Sequence, residues 1–363
     1  MTSPSVITVA ELAAGAADGD LLDGEACPER PLLVVDLDAG PAPGDAEWMA
    51  AVRGALRSER LLVGRSAGVV EGCPPKLLEV LDVTLVRESL GAETVVAVED
   101  PEAEATALYG NAEAQPHAAL VLRQLLRMSG KLPVPEALDA ESFAYSTLLG
   151  GPGFADWLGA RVRRPVAVAD EPVLVRRDGS TLYVTLNHPE RRNAHSARMR
   201  DALAAAVAPA VWDAGVREVV LDGNGPAFCS GGDLDEFGTA PDLATAHLVR
   251  TRAGAARQLH AIGDRLTVRL HGYCVGAGIE LAAFAHRVVA APDTFVRLPE
   301  LSMGLIPGAG GTVGIPRRIG RWRTLYLVLG GGTLDAAGAL AWGLVDQVEE
   351  GRGQGNSSKA NAS

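Results

Sequence analysis

Two glutamates, Glu280 and Glu300, occur in the sequence where an acid–base pair would be held rigidly. Glu280 falls in the first turn of the helix predicted for IELAAFAHR, and Glu300 follows Pro299 after the predicted strand FVRL. Two carboxylates that face one pocket suit acid–base chemistry, because one can donate a proton while the other accepts one. The sequence therefore predicts a proton-transfer site shared by these two residues.

A glycine-rich turn, VGAG at residues 275–278, leads from the predicted strand RLTVRLHG into the helix that carries Glu280. The first N–H groups of a helix have no partner within it, and the helix dipole favours negative charge at that end. The turn is therefore a candidate site for a developing oxyanion. Taken alone, the same residues also fit a structural role, in which Glu280 only complements the dipole and the glycines only allow tight packing.

A second glycine-rich turn, NGPAFCSGGD, follows the predicted strand EVVLDG further upstream. Two turns of this kind can aim N–H donors at one carbonyl oxygen. The segments AFCSGGDLDEF, HGYCVGAGIEL and LPELSMGLIPGAGGT, with NHPERRNAHS ahead of them, resemble the crotonase (enoyl-CoA hydratase/isomerase) superfamily. They occur in the order and at the spacing of that family, which makes the resemblance specific.

The resemblance implies that the substrate is an acyl-CoA thioester. It assigns the backbone N–H groups of Ser230 and Ala277 to an oxyanion hole, Glu300 to proton exchange at the α-carbon, and Glu280 to holding and activating a water molecule. Family members that only shift a double bond commonly keep the equivalent of Glu300 and dispense with that of Glu280. We therefore expect an enoyl-CoA hydratase, a lyase that adds water syn across the double bond of a 2-enoyl-CoA.

The resemblance also places the CoA-binding loop at NHPERRNAHS, where Arg191 and Arg192 are candidate cations for the anionic nucleotide of CoA. Each arginine singly also fits a solvated loop position, and Asp233 fits a brace of the first turn better than a chemical role. The predicted substrate and CoA contacts are Arg191, Arg192, Asn193, Ala194, Gly231, Gly232, Asp233, Gly276 and Gly278. No metal is predicted, and no separate cofactor either, because CoA is part of the substrate.

Other functions remain open. An enoyl-CoA isomerase would use the same turns, and a cofactor-independent arylacetyl-CoA oxygenase has a similarly long N-terminal extension but usually lacks the carboxylate pair. A non-catalytic CoA-ester-binding or assembly subunit would fit the missing C-terminal helices of the family. A dinucleotide-binding fold is disfavoured because Leu281 occupies the third glycine position, and a serine hydrolase is disfavoured because the G-x-S-x-G motif is absent.

Composition disfavours several classes of partner. The 363 residues carry a formal net charge of −12, which argues against a nucleic-acid interface. No apolar run reaches the roughly 20 residues of a membrane-spanning helix, and the N-terminus lacks the pattern of a secretory signal. The four cysteines form no CxxC pair, which favours reduced thiols and a cytoplasmic protein. The family resemblance implies a homo-oligomer, either a trimer or a multiple of one.

The order of the predicted strands and helices, which must position these residues, indicates an α/β fold. Predicted strands at 31–38, 60–64 and 94–100 alternate with helical segments, among them 77–90, and this alternation is typical of a parallel sheet. Residues 1–116 are therefore predicted to form an N-terminal α/β domain. This domain looks like a degenerate copy of the start of a crotonase but lacks the catalytic motifs, so we expect it to be non-catalytic.

The rest of the chain divides into three predicted parts. Residues 117–165 form a helical connector that resembles the C-terminal tail of a typical crotonase, and 166–350 form the crotonase-like ββα superhelix core. Residues 351–363, rich in Gly, Ser and Asn, are predicted to be a disordered tail. We hypothesise that 117–163 cover the active site of the core that follows, in the same chain or in a neighbouring subunit. The alternative is an independently packed domain.

Overall fold

The computed structural model describes residues 3–40, 43–68, 70, 72–88, 91–162, 164 and 170–349. The tail predicted to be disordered, 351–363, lies outside these residues, as do residues 165–169 at the predicted boundary between the connector and the core.

The N-terminal region alternates strands and helices. Its elements are β1 (Val6–Thr8), α1 (Val9–Ala13), β2 (Leu32–Asp36), α2 (Asp45–Arg57), β3 (Leu61–Arg65), α3 (Pro75–Val80), β4 (Val83–Val86) and β5 (Val95–Ala97). Within the described residues, these strands form a parallel sheet in chain order, β1-β2-β3-β4-β5. The predicted α/β fold, in which the strands of a parallel sheet alternate with helices, is thus confirmed for this part of the chain.

The prediction of a helix over residues 77–90 is wrong in its second half. Helix α3 ends at Val80, and the next residues form strand β4, which pairs with β3 and β5. All four residues of β4 are buried, and Val83, Thr84 and Val86 are β-branched. Because β-branched side chains pack well on a pleated sheet, burial between two strands outweighs the helical periodicity of the segment.

A helical connector follows the first sheet. Its helices are α4 (Pro101–Ala114), α5 (Pro116–Ser129), α6 (Val134–Leu149) and α7 (Pro152–Gly159). Each of these helices carries a proline in its first turn, where the missing N–H is not needed and the fixed φ favours a helix. The prolines therefore set where each helix begins, and the short loops between helices keep consecutive helices in contact.

The C-terminal half builds two further sheets. Its elements are β6 (Val173–Asp178), β7 (Thr181–Leu186), α8 (Ala197–Trp212), β8 (Glu218–Gly223), α9 (Leu243–Ala253), α10 (Ala256–Ala261), β9 (Leu266–Leu270), β10 (Tyr273–Val275), α11 (Ala277–Ala282), β11 (Arg287–Ala290), β12 (Phe295–Arg297), α12 (Gly311–Gly330), β13 (Thr333–Asp335), α13 (Ala336–Trp342) and β14 (Gln347–Val348). In the described ranges, one sheet has the order β14-β11-β9-β8-β7-β6 and the other β10-β12-β13. None of the helices in those ranges has the length and apolarity needed to cross a bilayer.

The two halves of the chain share a hydrophobic core. On β2, Leu32 and Val34 belong to the same buried cluster as Val268 of β9 and Ile279 of α11. The alternate residue Leu33 faces the opposite side of the sheet, toward α1 and α2. Since successive strand residues point to opposite faces, the N-terminal sheet is covered on both sides, and one of those sides is continuous with the core of the C-terminal half.

A buried ion cluster around Asp82 also joins the halves. The carboxylate, between α3 and β4, is fully buried and accepts hydrogen bonds from Arg123 Nε at 3.0 Å and Arg127 Nε at 2.8 Å, both on α5. Arg321 of α12 lies 3.5 Å away. Burial alone would raise the pKa of Asp82, but these positive charges outweigh it and lower the pKa.

We expect Asp82→Asn to lower the free energy of unfolding by about 3 to 5 kcal/mol, because the buried guanidinium of Arg123 loses its counter-charge. Since the folded-state pKa of Asp82 is lowered, its ionic contribution is present above the usual pKa of an aspartate and is lost as the pH falls through the lowered value. Urea unfolding at neutral and acidic pH measures both effects. Asp178→Asn, in the exposed β6–β7 hairpin, is the control, and equal stability of the two variants would contradict the expectation.

Candidate active site

The two glycine-rich turns lie against each other. The backbones of Cys229 and Cys274 pair as an isolated parallel β-bridge, and Val275 donates its N–H to the carbonyl of Cys229 at 3.0 Å. Gly231 and Gly276 have φ values of 93° and 48°, a region that favours glycine. A Cβ on Gly231 would lie only 3.1 Å from the carbonyl oxygen of Val275, so a side chain there would push the turns apart.

Glu280 is held at the start of helix α11. Its side chain is 2% exposed, and its Oε2 accepts hydrogen bonds from the N–H groups of Ala309 at 2.7 Å and Gly311 at 2.9 Å. These donors belong to the loop before α12 and to the first residue of that helix. The carboxylate is therefore oriented from outside its own helix, by backbone groups at the start of α12.

Glu300 opens a short 3-10 helix, Glu300–Met303, just after β12. Its side chain is 7% exposed, and its Oε2 accepts no hydrogen bond from the described residues. A Cβ placed on Gly276 would lie 2.5 Å from Glu300 Oε1 and 3.8 Å from Glu280 Oε1. Both carboxylates thus lie near the same glycine, and a side chain at that position would collide with Glu300.

Both glutamates line one cavity of about 450 Å³. The turn residues Gly232 and Ala277 also line it. Further lining residues that bear on its chemistry are Leu138, Glu141, Tyr145, His195, Arg250 and Leu281. The structure therefore brings the two predicted carboxylates and both glycine-rich turns to a single pocket.

Burial changes the acidity of both carboxyl groups. It raises the pKa of Glu300 to about 8. It also raises the pKa of Glu280, as do the charges of Glu300 and Glu141, whereas the N–H groups of Ala309 and Gly311 act in the opposite direction. Two buried carboxyl groups that line one cavity are costly to ionise together. The N–H groups of Ala309 and Gly311 stabilise the ionised form of Glu280, whereas Oε2 of Glu300 accepts no hydrogen bond from the described residues.

The predicted oxyanion donor Ser230 is already engaged. Its N–H donates to the carbonyl of Arg192 at 3.0 Å, and Ser230 is absent from the described residues that line the cavity. The N–H groups of Gly232 and Ala277 make no hydrogen bond within the described part of the chain, and both residues line the cavity. The left-handed φ of Gly231 turns the chain between Ser230 and Gly232, so the free donor in the first turn is that of Gly232.

The predicted CoA cation Arg191 has its charge matched within the protein. Its Nη2 donates to Asp233 Oδ1 at 2.8 Å and to Asp235 Oδ2 at 3.0 Å. Asp233 is 4% exposed, and its Oδ1 also accepts the N–H of Asp235 at 3.1 Å. These contacts brace the loop after the first turn, which is the role that the sequence favours for Asp233.

The other predicted contacts of this loop differ in exposure. Asn193 is fully buried, and its Nδ2 donates to carbonyl oxygens of the first turn, including that of Phe228 at 3.1 Å. Ala194 is buried, whereas Arg192 is exposed with φ 51°. Gly278 packs against the first turn, where a Cβ would lie 2.7 Å from a carbonyl oxygen. Most of these residues therefore shape the turns, and Arg192 presents its side chain to solvent.

Sequence reasoning did not identify Glu141 and Tyr145, which helix α6 of the connector places at the cavity. A separation of four residues puts both on one helix face. The ring of Tyr145 lies where a Cβ on Gly308 would come within 2.4 Å, so α6 packs directly on the loop before α12. The connector thus covers part of the cavity in the same chain. The four-residue spacing of Glu141 and Tyr145 in the segment ESFAY is the sequence signal that could have identified them.

Comparison with known proteins places the chain in a family. A sequence profile described as enoyl-CoA hydratase/isomerase matches residues 176–351. A 2,3-dehydroadipyl-CoA hydratase of Escherichia coli K12 is 36% identical over 48% of this chain and 68% of its own length. A 1,2-epoxyphenylacetyl-CoA isomerase of the same organism is 34% identical over 49% of this chain and 70% of its own.

Among solved structures, that of an enoyl-CoA hydratase/carnitine racemase from Magnetospirillum magneticum is 29% identical, covers 50% of this chain and 70% of its own, and has a TM-score of 0.47. The profile match begins at residue 176, so helix α6 lies outside it. On the profile match and the identity to these relatives, the chain belongs to the enoyl-CoA hydratase/isomerase family.

Proposed function

We propose that the protein is an enoyl-CoA hydratase, which adds water syn across the double bond of a 2-enoyl-CoA thioester. The observation that carries the proposal is the pair of buried carboxylates, Glu280 and Glu300, in one cavity with two unpartnered backbone N–H groups. One carboxylate held by hydrogen bonds and one whose Oε2 accepts none from the described residues can serve as the base and the acid of one site. No separate cofactor is proposed, because CoA enters as part of the substrate.

The N–H groups of Gly232 and Ala277 would receive the thioester oxygen. Addition of water to the β-carbon moves negative charge onto that oxygen, and the enolate survives only if the charge is stabilised. Preorganised donors at such a position contribute about 3 kcal/mol each in other enzymes. Ala277 is the first residue of α11, so its N–H also lies at the positive end of a helix.

The two carboxyl groups divide the proton transfers. Ionised Glu280 holds a water molecule and takes one of its protons as the water oxygen bonds to the β-carbon. Protonated Glu300 then gives its proton to the α-carbon, and the enolate returns to a thioester. The product gains one water, and the proton left on Glu280 returns through solvent or the neighbouring carboxylate to Glu300. Both groups belong to one cavity, so both additions occur on the same face.

Isomerisation is the second candidate, because the relatives include an isomerase as well as a hydratase. A double-bond shift needs Glu300 to exchange protons at carbon, but it does not need a water-activating base. The hydrogen bonds from Ala309 and Gly311 to Glu280 favour hydration, since they orient a second carboxylate that an isomerase could do without.

The glutamine variants test this division of roles. We expect Glu300→Gln and Glu280→Gln each to lower kcat for hydration by about 100- to 10,000-fold, because each removes one proton-transfer group. Loss of the enoyl absorbance of crotonyl-CoA, of longer enoyl-CoAs and of aryl enoyl-CoAs measures the rate. Glu218→Gln, at an exposed position on β8, is the matched control.

The same panel separates the alternatives. Double-bond migration that survives Glu280→Gln would identify an isomerase, and oxygen consumption with an arylacetyl-CoA would identify an oxygenase. Stoichiometric binding of every thioester without turnover would identify a binding subunit. Any of these outcomes would replace the hydratase proposal.

The pH dependence provides an independent prediction. Because burial raises the pKa of Glu300 to about 8, its carboxyl group keeps the proton at neutral pH and loses it as the pH rises through that value. We therefore expect kcat/KM for hydration to fall on the alkaline side with an apparent pKa of about 8. A profile that keeps rising through this range would show that Glu300 is not the acid.

Gly276 allows a steric test of the site. In Gly276→Ala the new Cβ would lie 2.5 Å from Glu300 Oε1, so the carboxylate must move. We expect hydration to fall by about 100-fold, the cost of a misplacement of about 1 Å. Gly331→Ala is the control, because Gly331 also has a positive φ of 61° but its Cβ would meet nothing within 4 Å. Equal activity of the two variants would contradict the assigned geometry.

A further inference from the structure

A third buried carboxylate reaches the active site from outside the part of the chain that matches the family profile. Glu141, on helix α6, is 2% exposed and lines the cavity with Glu280 and Glu300. Its Oε1 accepts the N–H of Gly310 at 2.7 Å. Its Oε2 accepts the N–H of Thr312 at 2.9 Å and the hydroxyl of Thr312 at 2.7 Å. Both of its oxygens are therefore committed to the start of α12.

The same stretch of backbone holds Glu280. The N–H groups of Ala309 and Gly311 donate to Glu280, and those of Gly310 and Thr312 donate to Glu141. Four successive donors thus alternate between two carboxylates that approach from opposite sides. Gly310, with φ 103°, supplies the left-handed conformation at the centre of this row. If the row turned about its axis, both carboxylates would lose their donors together.

Close packing prevents the row from shifting toward either side. A Cβ on Gly311 would lie 2.7 Å from Glu280 Cγ, and one on Gly308 would lie 2.4 Å from the ring of Tyr145. The loop is therefore clamped between α11 of the core and α6 of the connector. In this clamp, Glu141 provides the polar contact from the side of α6.

We propose that Glu141 is a positioning residue, which fixes the N–H row at 309–312 and thereby orients Glu280 for its reaction. The inference rests on the proposed function, since the reaction of Glu280 is defined there. It also assigns a role to the connector: residues before the family core complete the acid–base site.

The charge of Glu141 gives the proposal a second consequence. Burial raises its pKa to about 7, against the effect of its hydrogen bonds and of the positive charge of Arg250 on α9. Its negative charge in turn raises the pKa values of Glu280, Glu300 and Tyr145, the other titratable groups that face it. Removing that charge should therefore lower the pKa values of the catalytic pair.

Glu141→Gln tests both consequences. A carboxamide offers the N–H row one acceptor oxygen and an NH2 group that cannot accept, so the row must shift. We expect kcat for crotonyl-CoA hydration to fall by about 10- to 100-fold with little change in KM. We also expect the alkaline limb of the pH profile to move to lower pH. Glu136→Gln, the same change at an exposed position on α6, should alter neither quantity.

Thr312→Val keeps the test decisive if Glu141→Gln folds poorly. It removes only the hydroxyl donor to Glu141 and should change kcat and the pH profile in the same direction, by a smaller amount. An infrared titration of the protonated carboxyl stretch in the free protein, assigned with Glu280→Gln and Glu300→Gln, follows the pKa values without turnover. This measurement separates the inference from the proposed function, because it decides the inference even if no thioester is hydrated.

The outcomes are distinct. A lower kcat together with a shifted pH profile and carboxyl titration supports the positioning role. A Glu141→Gln variant that behaves like Glu136→Gln would overturn it. A variant that loses kcat while the pH profile and the carboxyl titration stay unchanged would also overturn it, since Glu141 would then serve the fold alone.

Discussion

The alternating hydrogen bonds of residues 309–312 are the interaction on which the site depends. Ionised carboxylates are costly to bury unless donors surround them, and here four backbone N–H groups stabilise Glu280 and Glu141 at once. Backbone donors need no side-chain ordering, so their direction is set by the chain path. That path requires a positive φ at Gly310 and no side chain at Gly311, which explains the glycine pair at the start of α12.

Much of the site could be predicted from local patterns. Glu280 and Glu300 each follow a strand and a turn within a few residues, so their convergence needed only the strand–turn–helix order. The proposed oxyanion donor was harder to predict, because Ser230 and Gly232 lie in the same turn. Which N–H faces the cavity depends on the rotation of the chain about Gly231, and composition carries no sign of that rotation. The same limit applies to Arg191, whose partner Asp233 is 42 residues away.

Long-range packing explains the remaining differences between the predictions and the structure. Glu141 and Gly310 lie 169 residues apart, so no local window could pair them, although the helical connector was expected to cover the core. Strand β4 was mistaken for a helix because a short segment that is buried on all sides has the same apolar pattern as a buried helix. Only the pairing of β4 with its neighbours β3 and β5 distinguishes a strand from a helix here. In both cases the deciding contacts come from elements outside the segment itself.

Helix α12 connects the N-terminal half to the chemistry. Its first residues hold Glu280 and Glu141, and beyond the bend at Gly320 its Arg321 reaches the buried Asp82. Helix α12 therefore contacts both Asp82 of the N-terminal half and the carboxylate of Glu280. The cavity wall formed by α6 comes from residues that the family profile does not match, so under the proposed function the acyl groups that fit this pocket depend on the connector as well as on the core. The cavity is for this reason built by the connector and the core together.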